Sequence, residues 1–238
     1  MNNSLIIALD FPDKTEVFRF LDRFNEEKLF VKVGMELFYQ EGPNIVRELK
    51  EQGHQVFLDL KLHDIPNTVK SAMRNIAGLG ADLVNVHAAG GIRMMESALE
   101  GLEAGTTAGQ KRPYAIAVTQ LTSTSQEEMQ TWQQIKLPLH ESVAQYAAIT
   151  KQAGMDGVVC SPLEASMIRE QLGADFLTVT PGIRLAQADV QDQVRVATPH
   201  SAKESGVSAI VVGRPITRAQ DPYASYQLFK TEWEGVTL

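Results

Sequence analysis

Short runs rich in β-branched and aliphatic residues alternate along this chain with longer segments whose apolar residues recur at helical spacing. The runs fall at 5–10, 29–34, 56–61, 83–87, 114–119, 157–160, 176–180 and 209–213. Helix-compatible segments lie between them at 15–24, 43–52, 69–79, 92–102, 141–153, 161–172 and 198–204. Strands separated by helices pair in parallel, because each helix carries the chain back to the level at which the next strand starts. Eight such units in 238 residues, without an interior linker, predict a single α/β domain over 1–238, a (β/α)8 TIM barrel. A doubly wound open sheet is the alternative. It more naturally carries a glycine-rich phosphate turn after the first strand, where this chain has Asp10-Phe11-Pro12-Asp13. Cap signals support the helix starts: Asp13 precedes Glu16 at capping-box spacing, and Thr198-Pro199 supplies an N-cap followed by proline at N1.

In such a barrel the chemistry sits at the C-terminal ends of the strands. Strand one ends in Asp10, strand two contains Lys32, strand four ends in Asn85 and His87, and strand eight ends in Gly213-Arg214. Strand three is the most heavily charged. In Gln55 to Thr68, reading QVFLDLKLHDIPNT, alternation puts Phe57, Asp59 and Lys61 on one face and Val56, Leu58, Leu60 and Leu62 on the other. Charges at the end of so apolar a strand are rare unless paired or catalytic. Asp64 follows beyond the strand, and Thr68 is the expected N-cap of the next helix, ahead of Val69, Met73 and Ile76. Asp10, Lys32, Asp59, Lys61 and Asp64 alternate in sign, so at one barrel mouth they neutralise one another. A lysine flanked by carboxylates stays protonated, which suits Lys61 to give a proton to a developing carbanion.

Phosphate has separate candidates. Gly213-Arg214 closes the last strand, Thr180-Pro181-Gly182-Ile183-Arg184 forms a second tight turn with an arginine, and Gln193 ends the loop beyond it. The longest irregular connections, 120–139 and 181–194, are of the length that forms lids and ligand clamps.

A net charge of −7 and the lack of a Lys/Arg run argue against nucleic-acid binding. No stretch approaches the length of a membrane span, and the start of the chain lacks the pattern of a secretory signal. Cys160 is the only cysteine, so the expected compartment is a reducing cytoplasm and the expected role a buried structural thiol. Metal readings fare poorly: His140-Glu141 lacks a second histidine four residues after the first, and five scattered histidines suit no zinc site. His54 is expected at the opposite end of strand three. His63 and His87 are expected to be structural, and Met94-Met95 and Trp132 to serve packing or loop anchoring.

Asp59 to Thr68, DLKLHDIPNT, resembles the signature D-x-K-x-x-D-I-P-N-T of the orotidine 5'-monophosphate decarboxylase family. Further blocks match in order: Ala8-Leu9-Asp10, Val31-Lys32-Val33-Gly34, Val86-His87-Ala88-Ala89-Gly90-Gly91, Leu121-Thr122-Ser123, the Thr180 turn and Val212-Gly213-Arg214-Pro215-Ile216. The resemblance implies a homodimeric barrel that converts orotidine 5'-monophosphate to UMP and CO2, the last step of de novo pyrimidine synthesis, without metal or organic cofactor. It implies Lys61 as proton donor to C6 and Asp59 beside the substrate carboxylate. Lys32 and Asp10 would hold the ribose hydroxyls, Thr122 the base, and Arg184, Gln193, Gly213 and Arg214 the phosphate, with Pro181 a further substrate contact. Asp64, Ile65 and Thr68 would reach the neighbouring subunit's site. Two alternatives stay open: a magnesium-dependent sugar-phosphate decarboxylase or synthase of the same superfamily, and a non-catalytic barrel that senses pyrimidine nucleotides.

Overall fold

Ser4–Ala8 (β1), Phe30–Gly34 (β2), Gln55–Leu62 (β3), Leu83–His87 (β4), Tyr114–Val118 (β5), Gly157–Val159 (β6), Leu177–Thr180 (β7) and Ala209–Val212 (β8) pair in chain order in the computed structural model. The model describes residues 3–25, 27–185 and 196–235. Every pairing is parallel, and β8 returns to β1 in the register Ser4↔Ala209 to Ile7↔Val212, closing the barrel and leaving no sheet edge exposed. All eight expected runs become strands, and the fold is the (β/α)8 barrel rather than the open sheet.

Strand alternation sorts the core into two layers. Ile7, Val31, Leu58 and Val84 belong to the large cluster shared with the helices, whereas Ile6, Phe30, Phe57, Leu83, Ile116 and Val211 form a separate cluster of strand residues alone, the barrel interior. The next position of the same parity after Phe30, Phe57 and Leu83 is Lys32, Asp59 and Asn85. The inward face therefore changes from apolar to polar one step along three adjacent strands, at the end where the chemistry is expected.

The helix Pro66–Ala77 fixes the segment that leaves β3. It packs closely on the helix Gly91–Gly105, because a Cβ at Gly101 would lie 2.2 Å from the Lys70 carbonyl oxygen and one at Gly105 would lie 2.1 Å from that of Arg74. Two glycines one turn apart thus let the backbones touch.

Several expectations need correction. Thr68 is not an N-cap: the helix starts at Pro66, with Ile65 as its cap, and the Thr68 N–H is already bonded to the Ile65 carbonyl. Proline's fixed φ suits the first helical turn, where its missing N–H costs nothing. The segment 120–139 is not irregular throughout, since a capping box between Ser125 and Glu128 opens the helix Gln126–Trp132. Trp132 does not pack but is 74% exposed. Met35–Glu41 continues from β2 as a helix, and Pro222–Glu234 adds a final helix; neither was foreseen. Met94, Met95 and Cys160 are buried as expected, and His54 lies before β3, its Nδ1 accepting from the Leu29 N–H at 3.1 Å. Thr198 caps the helix Pro199–Glu204, and the Asp13 side chain accepts from the Glu16 N–H. Among the described residues, no helix is long and apolar enough to cross a membrane.

Candidate active site

β3 does not stay regular to its end. It pairs with β4 through Phe57↔Leu83 and Leu58↔Val84, then resumes at Leu62↔Val86, so residues 59–61 stand against Asn85 alone. Within this bulge Lys61 has a φ of 51°, a left-handed conformation unusual for a residue with a side chain. Asn85 fills the interrupted ladder. Its Oδ1 accepts the Lys61 backbone N–H at 2.8 Å, and its Nδ2 donates to Asp59 Oδ1 at 2.6 Å. The orientation of the amide follows from its partners, since an N–H needs the oxygen and a carboxylate needs the nitrogen.

Around Asp59 the charges alternate. Lys61 Nζ lies 2.8 Å from Asp59 Oδ1, Lys32 Nζ 3.4 Å from Asp59 Oδ2, and Lys32 Nζ 3.1 Å from Asp10 Oδ1. Asp59 is buried, Lys32 nearly so, and Lys61 is partly open to solvent. Burial alone would raise the Asp59 pKa, but the ammonium groups of Lys32 and Lys61 and the hydrogen bonds from Lys61 and Asn85 hold it below the ordinary carboxylate value. Burial would likewise lower the Lys32 pKa, and attraction to Asp59 and Asp10 leaves it raised instead. Asp59 and Lys32 thus stay ionised as a buried pair at the centre of the row. Close backbone approach helps: a Cβ at Gly34 would lie 3.1 Å from Lys32 Nζ, and one at Gly213 would lie 3.6 Å from Asp10 Oδ2.

Lys32, Asp59 and Lys61 line one wall of a cavity of about 240 Å³, with Thr122 and Pro181 also on its lining and apolar side chains such as Phe57 and Val211 at its base. It has room for a flat heterocycle, with charge on one side and apolar contact below. Arg184 is buried, its Nη1 donating to the Ile183 carbonyl at 2.9 Å, and its backbone N–H bonds to the Ala197 carbonyl, tying down the turn after β7. Gly213 stands beside Asp10, and Arg214 opens the short helix Arg214–Thr217. Gln193 lies outside the described residues. Asp64, Ile65 and Thr68 are exposed and do not line the cavity of their own barrel; Asp64 Oδ1 accepts the Ile65 N–H at 2.6 Å, and Ile65 is 67% exposed. The His63 and His87 rings face each other at 5.6 Å beside this group. Burial, then the proximity of His63 and Lys61, lowers the His87 pKa. Among the described residues, no group of three or more His, Cys, Asp or Glu is arranged to hold a metal ion.

Sequence reasoning noted Asn85 only as part of a strand end and missed Gln120. Gln120 is buried on the cavity lining, and its Nε2 donates to Gln133 Oε1 at 3.0 Å, linking the loop after β5 to the end of its helix. A polar residue of inward parity in the run Leu83-Val84-Asn85-Val86 was the available signal for Asn85.

The model of the orotidine 5'-phosphate decarboxylase / HUMPS family matches residues 3–229. The chain belongs to this family. It is 63% identical over 238 residues, all of both chains, to a protein of Bacillus cytotoxicus named orotidine 5'-phosphate decarboxylase. A crystal structure of orotidine 5'-phosphate decarboxylase from Lactobacillus acidophilus shares 46% identity, with a TM-score of 0.87 over 97% of this chain and 98% of that one. A conserved protein from Geobacillus kaustophilus of known crystal structure shares 57% identity, with the same TM-score over 96% of this chain and 99% of that one. The family signature D-x-K-x-x-D spans the bulge of β3 and the turn that follows it, so the motif marks the most irregular stretch of the barrel.

Proposed function

We propose that this chain is a carboxy-lyase that converts orotidine 5'-monophosphate to UMP and CO2, the last step of de novo pyrimidine nucleotide synthesis. The observation that carries this reading is the row of charges Asp10–Lys32–Asp59–Lys61, three of which line one wall of the cavity, in a chain whose relatives bear that enzyme's name. The substrate's pyrimidine sits in the cavity with its carboxylate beside Asp59 and C6 facing Lys61 Nζ. The bond from C6 to the carboxylate breaks, its electron pair stays on C6, and CO2 leaves. Lys61 then gives a proton from Nζ to C6 and is reprotonated from water.

A C6 carbanion has little resonance stabilisation, so the charge must be met electrostatically. An ammonium about 4 Å from developing negative charge contributes about 4 kcal/mol at an effective dielectric near 20. A fixed donor of this kind needs no reorganisation at the moment of reaction, which is why preorganised charge dominates such barriers. Asp59 adds repulsion against the substrate carboxylate that is relieved as CO2 departs. Lys32 and Asp10 hold the ribose hydroxyls and keep Asp59 ionised, and Thr122 contacts the base. Pro181 is a further substrate contact, and Arg184, Gln193, Gly213 and Arg214 surround the phosphate, whose remote binding energy is converted into a lower barrier as the loops after β5 and β7 close.

The enzyme acts as a homodimer, with Asp64, Ile65 and Thr68 completing the partner's site. Their exposure at the mouth of the barrel, with an isoleucine that apolar burial would favour covering, supports this arrangement. One catalytic barrel over 1–238, needing neither metal nor organic cofactor, in a reducing cytoplasm, completes the reading. The test is the loss of orotidine 5'-monophosphate absorbance with purified protein in buffer containing EDTA. Rapid loss with stoichiometric UMP supports the proposal. Activity confined to a sugar phosphate with added magnesium would assign the chain to the sibling enzymes, and tight UMP binding without turnover would make it a sensor.

A further inference from the structure

We infer that Asn85 is a positioning residue, whose side-chain amide holds Lys61 and Asp59 in the mutual geometry that decarboxylation needs. The inference rests on the function proposed above for this site. It begins from the bulge, where the β3–β4 ladder is interrupted between Leu58 and Leu62 and Lys61 adopts its positive φ. A left-handed conformation at a residue with a side chain is strained, and it persists only where the surroundings over-determine it. At the Lys61 backbone N–H that restraint is the Asn85 side chain. Asn85 is 2% exposed, lies outside the cavity lining, and spends its oxygen on the Lys61 N–H and its nitrogen on the carboxylate that receives the Lys61 ammonium. Backbone, side chain and counter-charge of the same lysine are thus tied to one amide.

The residues nearest to asparagine in size and shape do not fit the arrangement. Leucine has similar volume but would leave the Lys61 N–H buried without an acceptor. Aspartate would keep that acceptor while setting a second carboxylate about 2.6 Å from Asp59 Oδ1, where the amide nitrogen now lies. Glutamine is one methylene too long for a site closed on all sides. The charged and titratable groups around position 85 are Asp59 and Lys61 of β3, Lys32 of β2 on the far side of Asp59, and His87 two residues further along β4, with His63 against it.

The experiment compares Asn85→Ala and Asn85→Asp with the unmodified enzyme in steady-state decarboxylation of orotidine 5'-monophosphate from pH 5 to pH 9. Asn85→Ala is expected to lower kcat about 100-fold, the scale of a small misplacement of reacting groups, with KM changed less than about threefold because the phosphate contacts are untouched. Asn85→Asp is expected to be the worse of the two at pH 8 and to recover as pH falls, since a protonated carboxyl can again donate to Asp59. The unmodified enzyme, with no carboxyl group at position 85, is expected to lack this rise toward acid, and a role in folding alone would not create one. A kcat within threefold of the parent in Asn85→Ala, or an Asn85→Asp profile parallel to the parent's, would overturn the inference. Should the alanine variant not fold, the near-isosteric aspartate variant carries the test by its pH profile. If the unmodified protein does not turn over this substrate, the functional reading fails by itself, and a crystal structure of Asn85→Ala decides the positioning claim: Lys61 leaving positive φ upholds it, and Lys61 keeping 51° refutes it.

Discussion

Replacing Asp59 by asparagine removes one charge at almost constant shape and isolates what the central carboxylate does for the fold. Asp59 accepts from Lys61 Nζ at 2.8 Å and Asn85 Nδ2 at 2.6 Å, with Lys32 Nζ at 3.4 Å. At that last distance and an effective dielectric near 20, the attraction to Lys32 is about 5 kcal/mol before desolvation. Removing one partner of a buried pair costs roughly 3–5 kcal/mol. Lys32 keeps Asp10 and Lys61 is partly solvated, so the lower end applies, about 3 kcal/mol. For a chain of this length, that loss lowers the melting temperature by about 6–12 °C. The pH dependence has a definite sign. Because the folded-state pKa of Asp59 is depressed, its contribution is present above the unfolded value, about 3.9, and is lost as pH falls through the folded value. Lys32, whose pKa is raised, contributes below its unfolded value of about 10.4 and loses that contribution as pH rises through the folded one. The gap between parent and Asp59→Asn should therefore be constant from about pH 5 to pH 9 and shrink toward pH 3. Thermal and urea denaturation at a series of pH values measures it. A variant as stable as the parent at pH 7, or a gap that grows on acidification, would refute the electrostatic reasoning.

Other perturbations test other parts of the site. Ile65→Asp puts a charge on an apolar side chain that is 67% exposed in the isolated barrel, and it should shift the protein to monomer in sedimentation experiments with at least a tenfold loss of turnover. Gly34→Ala places a methyl group 3.1 Å from Lys32 Nζ, an ammonium pinned by two carboxylates, and should lower kcat on the order of tenfold while leaving the melting temperature within about 2 °C. Arg214→Ala should raise KM for orotidine 5'-monophosphate by about 10- to 100-fold, the scale of one charge-assisted phosphate contact, as read from initial rates.

The strands were legible because their period of two is written in the sequence, and so was the inward parity of Lys32 and Asp59. The left-handed turn at Lys61 was not, because a bulge leaves the hydrophobic pattern of one strand intact and exists only in register with its neighbour. The same holds for Asn85, whose partners belong to β3 and become visible only when β4 lies beside it. The helix after β3 starts at Pro66 and not after the expected cap Thr68, since proline suits both a strand exit and a first helical turn. The capping box of Ser125 and Glu128 was present in the sequence and marks the helix that was read as loop. Met35–Glu41 had no such mark, because it follows β2 directly after Gly34. Asp64, Ile65 and Thr68 are exposed in a single barrel, and the role proposed for them needs a second chain, which a single sequence does not display.

The role of Lys61 is tested most directly by single-turnover decarboxylation in the Lys61→Ala variant, with UMP binding measured on the same preparation. Loss of the donor and of its electrostatic term together removes about 10⁵-fold or more of the rate, taking roughly 4 kcal/mol for the charge and a factor of 10²–10⁴ for proton transfer. The predicted result is no detectable UMP formation by a folded variant that still binds UMP. Turnover within tenfold of the parent would contradict Lys61 as the proton donor and move the chemistry to another group in the cavity.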